Sequence, residues 1–225
     1  MPIEAVIFDL DGTLANFNLD YKVLRSEVRS YLMRTGVPGS VLHINESIFE
    51  MLKKAEIFHK NSGKAEGFED IRSQALAIAE KYEMEAAVTT SLMPGTNEAL
   101  KELKQMNVKM GLCTTSSEKS ACFILHRFKI DDYFQIVVPR DKVKYVKPST
   151  EQYELALKTL GAHPQGTVIV GDSTVDMQSA KELKAVAVGL PTGFSSTKQL
   201  MSNGANYIIT SLNDLAILIK KINKA

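Results

Sequence analysis

The chain has 225 residues, of which 44% are hydrophobic and 24% are charged, so it can bury a sizeable core and is not a disordered chain. Its formal net charge is +1 and it has no basic stripe, which argues against nucleic acid or a membrane surface as a partner. No apolar stretch approaches the roughly 18 residues of a membrane span, and no signal-peptide pattern is present. We therefore expect a cytoplasmic protein. For its oligomeric state we take a monomer as the default and a dimer as the alternative.

The apolar residues 5–8 predict a strand buried on both faces, because a strand with one solvated face would alternate with polar residues. Two carboxylates, Asp9 and Asp11, follow this strand, and Gly12 and Thr13 indicate a turn. Open parallel sheets bind ligands at the carboxyl ends of their strands. The segment is therefore either one side of a site or a solvated acidic turn, depending on what partners the rest of the chain supplies.

Helical spacing of apolar residues and few strand signals characterise residues 20–82. We expect an all-helical cap domain, residues 16–92, inserted into an α/β core domain made of residues 1–15 and 93–225. Within the insert, three basic residues share one helical face that is either a solvated surface or an anion clamp. These residues are Lys22, Arg25 and Arg29.

Strand and helix patterns alternate regularly after residue 93, which is typical of βαβ units and a parallel sheet covered on both faces. The first strand must join this sheet, because it has no other place to be buried. The predicted fold class is therefore α/β, a doubly wound parallel sheet with an inserted helical cap. The predicted strands are 108–113, 134–138, 167–170, 185–188 and 207–209, and the predicted helices are 97–106, 117–128, 150–160, 175–183, 197–201 and 212–222.

The chain contains two cysteines, which fall in different predicted elements. Cys113 lies in a strand and Cys122 in a helix. We expect both to be small buried thiols, in preference to a disulfide or a metal site.

Three groups at later strand ends can face the first two carboxylates. The hydroxyl cluster 114–117 precedes a helix, so it offers hydroxyls and backbone N–H groups to an anion, or it simply caps the helix. Lys147 precedes Pro148, which suits a helix start and biases the lysine towards extended backbone. Asp172 is expected at a strand tip and Asp176 in the first turn of the next helix.

Charge accounting indicates what this edge can hold. Four carboxylates against one lysine would repel one another and raise some carboxyl pKa values. A hard divalent cation among oxygen ligands relieves that repulsion, and Mg²⁺ combines one or two carboxylates with substrate phosphate and water. Histidine and cysteine are absent from the group, which disfavours zinc. The carboxylates are those of Asp9, Asp11, Asp172 and Asp176.

These segments, in this order, resemble the four motifs of the haloacid dehalogenase superfamily, and the resemblance covers nearly the whole chain. The subgroup it resembles is that of phosphoglycolate phosphatases and β-phosphoglucomutase-like hydrolases, which carry a helical cap between the first two motifs. The matching segments are 9–13, Thr114 after a strand, Lys147-Pro148, and 171–176.

The resemblance implies roles for the matched residues. Asp9 would be the nucleophile that becomes an aspartyl phosphate, and Asp11 would be the general acid and base. Thr114, with Thr115, would hold phosphoryl oxygens, and Lys147 would neutralise charge on the nucleophile and the phosphoryl group.

The resemblance also implies a metal site. Mg²⁺ would be bound by the Asp9 carboxylate, the Asp11 backbone carbonyl and Asp172. Asp176 would either support the metal or pair with Lys147.

The implied function is Mg²⁺-dependent hydrolysis of a small phosphate monoester that resembles phosphoglycolate or a sugar phosphate. Asp11 argues against dehalogenation, because expelling a halide needs no proton and dehalogenases of the family typically lack this residue. A phosphomutase of the β-phosphoglucomutase type would use the same motifs. A more distant alternative is a module that accepts a phosphoryl group at Asp9 without turnover.

Overall fold

The computed structural model describes residues 1–16, 18–63, 66–193 and 195–224. The chain forms two compact units, Met1–Phe17 with Thr89–Ala225, and Asn18–Val88. None of the helices in the described part of the chain has the length and apolar content needed to cross a membrane.

The smaller unit is built from three helices packed through their apolar faces. These are α1 (Tyr21–Arg34), α2 (Ile48–Asn61) and α3 (Phe68–Thr89). Asp20 caps α1 by accepting hydrogen bonds from two backbone N–H groups, and Ser47 forms a capping box with Glu50 at the start of α2. The helical character predicted for this region is confirmed in the described residues.

Local contacts explain part of the basic face of α1. The guanidinium of Arg29 donates to the carbonyls of Leu42 (2.9 Å) and Gly39 (3.0 Å). Arg25 donates weakly to the Asn45 carbonyl at 3.4 Å. Arg29 therefore holds the loop after α1 in place, which favours a structural role for it over the anion clamp.

The larger unit contains a six-stranded sheet in the order β3-β2-β1-β4-β5-β6, with every neighbouring pair parallel. The two central strands, β1 and β4, consist of fully buried residues, as their uninterrupted apolar sequences predict. The doubly wound parallel sheet is confirmed. The strands are β1 (Ala5–Phe8), β2 (Lys109–Cys113), β3 (Ile136–Val138), β4 (Thr167–Gly171), β5 (Val186–Gly189) and β6 (Tyr207–Ile208).

In the residues that the structure describes, six further helices alternate with these strands. Short 3₁₀ turns at Asp131–Tyr133, Arg140–Lys142, Pro164–Gly166 and Leu212–Asp214 join some of the elements. The helices are α4 (Thr96–Gln105), α5 (Glu118–Arg127), α6 (Glu151–Leu160), α7 (Thr174–Leu183), α8 (Thr197–Ser202) and α9 (Leu215–Ile222).

Several predicted boundaries are wrong for local reasons. The strand expected from residue 134 begins at Ile136, because the Phe134 N–H closes the preceding 3₁₀ turn on the Asp131 carbonyl at 3.1 Å. The helix expected from residue 212 begins at Leu215, because Leu212–Asp214 is a 3₁₀ turn. Pro148 lies in a turn before α6 and not at the first helical position.

The two cysteines differ in environment. Cys113 lies in β2 and is fully buried, as expected, but Cys122 is exposed, so the prediction of a buried thiol is wrong there. Helix α5 buries residues 120, 121, 124 and 125, and position 122 falls on the opposite face of a 3.6-residue turn. Both thiols are free.

The first testable prediction concerns the central strand. Ile7 in β1 is fully buried, so Ile7→Ala should lower the free energy of unfolding by about 3 kcal/mol through lost burial and a residual cavity. Urea unfolding of the whole protein, followed by circular dichroism, measures the change in the free energy of unfolding. Ile217→Ala on α9, where the side chain is 65% exposed, should change it by less than about 0.5 kcal/mol. Equal losses in the two variants would contradict this packing.

Candidate active site

Strand register brings the carboxyl ends of the central strands to one edge. Phe8, the last residue of β1, pairs with Leu112 of β2 and with Val170 of β4. Asp9, the residue after β1, therefore lies level with the end of β4 at Gly171, and Asp172 is the next residue after that strand. In this strand order the edge between β1 and β4 is a topological switch point, where open α/β sheets bind their ligands.

A buried lysine joins two of these strand ends. The Lys147 Nζ donates to Asp9 Oδ1 at 2.5 Å, to Asp176 Oδ1 at 2.7 Å and to the Cys113 carbonyl at 3.1 Å. Its side chain is only 2% exposed. Because an ammonium group has three protons, these three acceptors use all of its donor capacity and fix its position.

Asp176 is held on both of its oxygens. It occupies the third position of α7, as predicted, and Oδ1 accepts from the Tyr153 hydroxyl (2.8 Å) as well as from Lys147. Oδ2 accepts from the Ser173 N–H (3.3 Å) and the Ser173 hydroxyl (2.5 Å). A carboxylate offers about four lone pairs, so protein donors already engage Asp176 fully.

Burial and mutual repulsion perturb the carboxyl groups. Burial, with added repulsion from Asp176 and Asp11, raises the pKa of Asp9 to about 7, although Lys147 opposes the shift. Burial and the charges of Asp9 and Asp176 raise the pKa of Asp172 to about 9. Burial lowers the pKa of Lys147, but the two carboxylates it contacts raise it by more, so the lysine stays charged.

The cluster suits a divalent cation. Oxygens of Asp9, Asp172 and Asp176 lie within 4.8 Å of one another, and all three residues are buried. Glycines border the Asp172 carboxylate: a Cβ on Gly12 would lie 2.6 Å from Asp172 Oδ2, and one on Gly193 would lie 1.6 Å from it. A side chain at position 12 or 193 would therefore collide with this carboxylate, and the oxygen donors of the cluster match a hard cation.

Asp11 lies beyond the end of β1, in a turn. The strand stops at Phe8, so strand alternation does not place Asp11 beside Asp9. The Ser116 hydroxyl donates to Asp11 Oδ2 at 2.5 Å and fixes it from the loop after β2. The charge of Asp11 contributes to the raised pKa of Asp9, which is consistent with its closeness to the cluster.

The hydroxyl cluster after β2 divides its roles. Thr114 is buried, and its hydroxyl accepts from the Ser116 N–H at 3.0 Å. Thr115 is partly buried, and its carbonyl accepts from the guanidinium of Arg140 at 3.2 Å. Ser117 is the helix cap, accepting from the Ser120 N–H at 3.2 Å. Helix capping therefore belongs to Ser117, and the anion-binding role expected of Thr114 stays a prediction.

Two buried residues of α6 organise the site without having been predicted. Gln152 donates to the carbonyls of Thr114 (2.8 Å) and Val138 (2.9 Å) and accepts from the Lys147 N–H (3.2 Å). Tyr153 is the donor to Asp176 described above. The sequence does contain a signal for Gln152. Its amide lies on the same helix face as the apolar Ala156 and Leu160, and a buried amide requires hydrogen-bond partners.

The chain matches the family model for haloacid dehalogenase-like hydrolases over residues 6–189. It therefore belongs to that family, and it is a hydrolase, as the four motifs suggested. The resemblance to the family is confirmed.

Relatives extend along the whole chain. It is 27% identical over 224 residues to a phosphoglycolate phosphatase from Nitrosospira multiformis, covering 98% of this chain and 97% of the relative. It is also 27% identical over 230 residues to the pyrophosphatase PpaX of Bacillus mycoides, covering 99% and 100%. Among solved structures, a protein described as a β-phosphoglucomutase from Thermotoga maritima is similar at 25% identity and a TM-score of 0.64, covering 98% and 100%.

The raised carboxyl pKa values predict how stability depends on pH in metal-free protein. An unfolded aspartate titrates near 4, whereas Asp9 and Asp172 titrate at about 7 and about 9 in the fold. As pH rises through this range the unfolded chain loses these protons first, so the free energy of unfolding should fall. Asp172→Asn removes one such group and should stabilise the metal-free protein at pH 8 by about 1 kcal/mol.

Urea unfolding in a chelator at pH 6 and pH 8 tests this. Asp132→Asn, which changes an exposed carboxyl group, is the matched control and should leave the pH dependence unaltered. A wild-type protein that gains stability between these pH values, or two variants that behave alike, would show that the carboxyl groups are not protonated in the fold.

Proposed function

We propose that this chain is a Mg²⁺-dependent phosphatase that hydrolyses a small phosphate ester through an aspartyl phosphate on Asp9. The observation that carries the proposal is a buried cluster. In it Lys147 contacts Asp9 and Asp176, and carboxylate oxygens of Asp9, Asp172 and Asp176 lie within 4.8 Å of one another. Relatives named as phosphoglycolate phosphatase and pyrophosphatase over their full lengths support the reaction class.

Asp9 is the proposed nucleophile. One of its carboxylate oxygens attacks phosphorus, the bond from phosphorus to the ester oxygen breaks, and the electron pair of that bond leaves with the oxygen. Lys147 favours the ionised form of Asp9, since its ammonium lowers the pKa of the carboxyl group and opposes the effect of burial. Lys147 also faces the charge that builds up on the phosphoryl oxygens.

Asp11 is the proposed acid and base. It gives a proton to the departing oxygen, which leaves as an alcohol, and Asp11 becomes a carboxylate. A water molecule then attacks phosphorus of the aspartyl phosphate and passes a proton to Asp11, while the bond from phosphorus to the Asp9 oxygen breaks and its electron pair returns to the Asp9 carboxylate. Inorganic phosphate leaves, and both aspartates return to their starting states.

Asp9 and Asp172, with the Asp11 backbone carbonyl, are the proposed holders of Mg²⁺. Asp176 is assigned the other role that the sequence left open, pairing with Lys147, because four protein donors already engage its oxygens. A bound Mg²⁺ supplies a positive charge that neutralises the carboxylates and the phosphate of the substrate. Thr114 is proposed to donate its hydroxyl to a phosphoryl oxygen, with Thr115 beside it.

Residues 16–92 are proposed to act as a cap that selects the substrate, in the manner of capped members of the family. The substrate proposed is a small phosphate monoester, with pyrophosphate as an added candidate from the name of the Bacillus relative. A membrane or nucleic acid is not expected as a partner.

Phosphate release from a substrate panel tests the proposal. Purified protein is assayed with 2-phosphoglycolate, sugar phosphates, 4-nitrophenyl phosphate and pyrophosphate, after treatment with EDTA and again after adding Mg²⁺. We expect release of inorganic phosphate from at least one phosphate ester, loss of nearly all activity in EDTA and recovery with Mg²⁺. No release from any member of the panel would count against a phosphatase.

The same panel addresses the phosphomutase, which the similarity to the Thermotoga structure favours as the second candidate. A mutase returns the phosphoryl group to another hydroxyl of a sugar. Conversion of one sugar phosphate into its isomer, followed by ³¹P NMR with no accumulation of free phosphate, would support the mutase instead.

Variants of the two aspartates separate their roles. Asp9→Asn should lower kcat by at least about a thousandfold, because the amide is a poor nucleophile. Asp11→Asn should slow hydrolysis of the intermediate, so that a phosphoenzyme labelled with ³²P accumulates. Normal turnover by Asp9→Asn would falsify the assignment of the nucleophile. Glu98→Gln at the start of α4, outside the cluster, controls for the charge change.

A further inference from the structure

The hydroxyl of Ser116 contacts Asp11, the proposed acid and base. It donates to Asp11 Oδ2 at 2.5 Å, and Ser116 is only 7% exposed. The helix that follows does not need this hydroxyl, because Ser117 caps α5. The bond joins residues 105 positions apart in the chain, so it links two strand ends and is not local turn chemistry.

The backbone around Ser116 is fixed independently of Asp11. The Ser116 N–H donates to the Thr114 hydroxyl at 3.0 Å, and its carbonyl accepts from the Arg140 N–H at 3.2 Å. The Arg140 guanidinium also donates to the Thr115 carbonyl, and this arginine is only 4% exposed. The backbone that carries the Ser116 hydroxyl is therefore held in place without Asp11.

A hydrogen bond to one oxygen restricts how a carboxyl group can turn. Ser116 therefore fixes the orientation of the Asp11 carboxyl group from the loop after β2.

We propose that Ser116 is a positioning residue for proton transfer, because its hydrogen bond holds the Asp11 carboxyl group in the orientation that serves the departing oxygen of the substrate. This inference rests on the proposed function. In the step that Ser116 serves, the proton passes from Asp11 to the ester oxygen as the bond from phosphorus to that oxygen breaks.

The proposal predicts a dependence on the leaving group. A 4-nitrophenolate is weakly basic and leaves without a proton, whereas an alkoxide needs one. Because kcat/KM reports only the steps through departure of the first product, it isolates this requirement from the later hydrolysis of the intermediate. Loss of the Ser116 hydroxyl should therefore slow the alkyl substrate selectively.

The experiment compares kcat/KM for 2-phosphoglycolate, or the fastest alkyl phosphate in the panel above, with kcat/KM for 4-nitrophenyl phosphate, at saturating Mg²⁺. Ser116→Ala should lower the value for the alkyl phosphate about tenfold and that for 4-nitrophenyl phosphate by less than about twofold. Ser116→Thr, which keeps the hydroxyl, should restore the alkyl value to within about threefold of wild type.

Ser117→Ala is the matched control. It removes the adjacent hydroxyl and the cap of α5, so it should lower the thermal midpoint of unfolding while leaving the ratio of the two kcat/KM values unchanged. Thermal unfolding of every variant shows whether it is folded.

The outcomes separate two failures. If wild type hydrolyses both esters and Ser116→Ala slows them equally, or slows neither, the positioning role is overturned while the phosphatase stands. If wild type hydrolyses no phosphate ester, the proposed function fails and this inference fails with it.

Discussion

The pairing of Lys147 with two buried carboxylates is the interaction on which the rest of the site depends. Burying a charge is costly unless it is paired and hydrogen-bonded, and here one ammonium group satisfies Asp9, Asp176 and a backbone carbonyl together. One lysine cannot neutralise three buried aspartates, and their burial, followed by the remaining repulsion, raises the pKa values of Asp9 and Asp172. The cluster is therefore held together by the lysine and left short of positive charge, which is the condition that favours a cation.

The sheet brings this cluster together from distant parts of the chain. Parallel strands β1, β2 and β4 end at one edge, so residues following each of them meet there without any special loop. Helix α6 contributes two buried side chains. Gln152 hydrogen-bonds both the Lys147 backbone and the Thr114 carbonyl after β2, and Tyr153 donates to Asp176. The positions of the charged groups thus follow from strand register, and their orientations follow from buried polar side chains on a helix.

The alternation of strands and helices was predictable because the apolar patterns are strong, and the closeness of Asp9, Lys147 and Asp172 followed from strand-end logic. The bond between Asp11 and Ser116 was not predictable, since it depends on the path of a turn that strand periodicity does not describe. The exposure of Cys122 was missed because it depends on the rotation of α5 about its axis. The contact of Gly12 and Gly193 with Asp172 joins two loops whose approach no local pattern reports.

The contrast between the two thiols has a practical consequence. Burial raises the pKa of Cys113, and its sulfur lies against the Gln152 carbonyl of α6, so alkylating reagents reach it only when the core opens. Cys122 projects into solvent from α5. A maleimide dye should therefore attach at one place on the native molecule, giving spectroscopists a fluorescent reporter on this helix without any engineered cysteine.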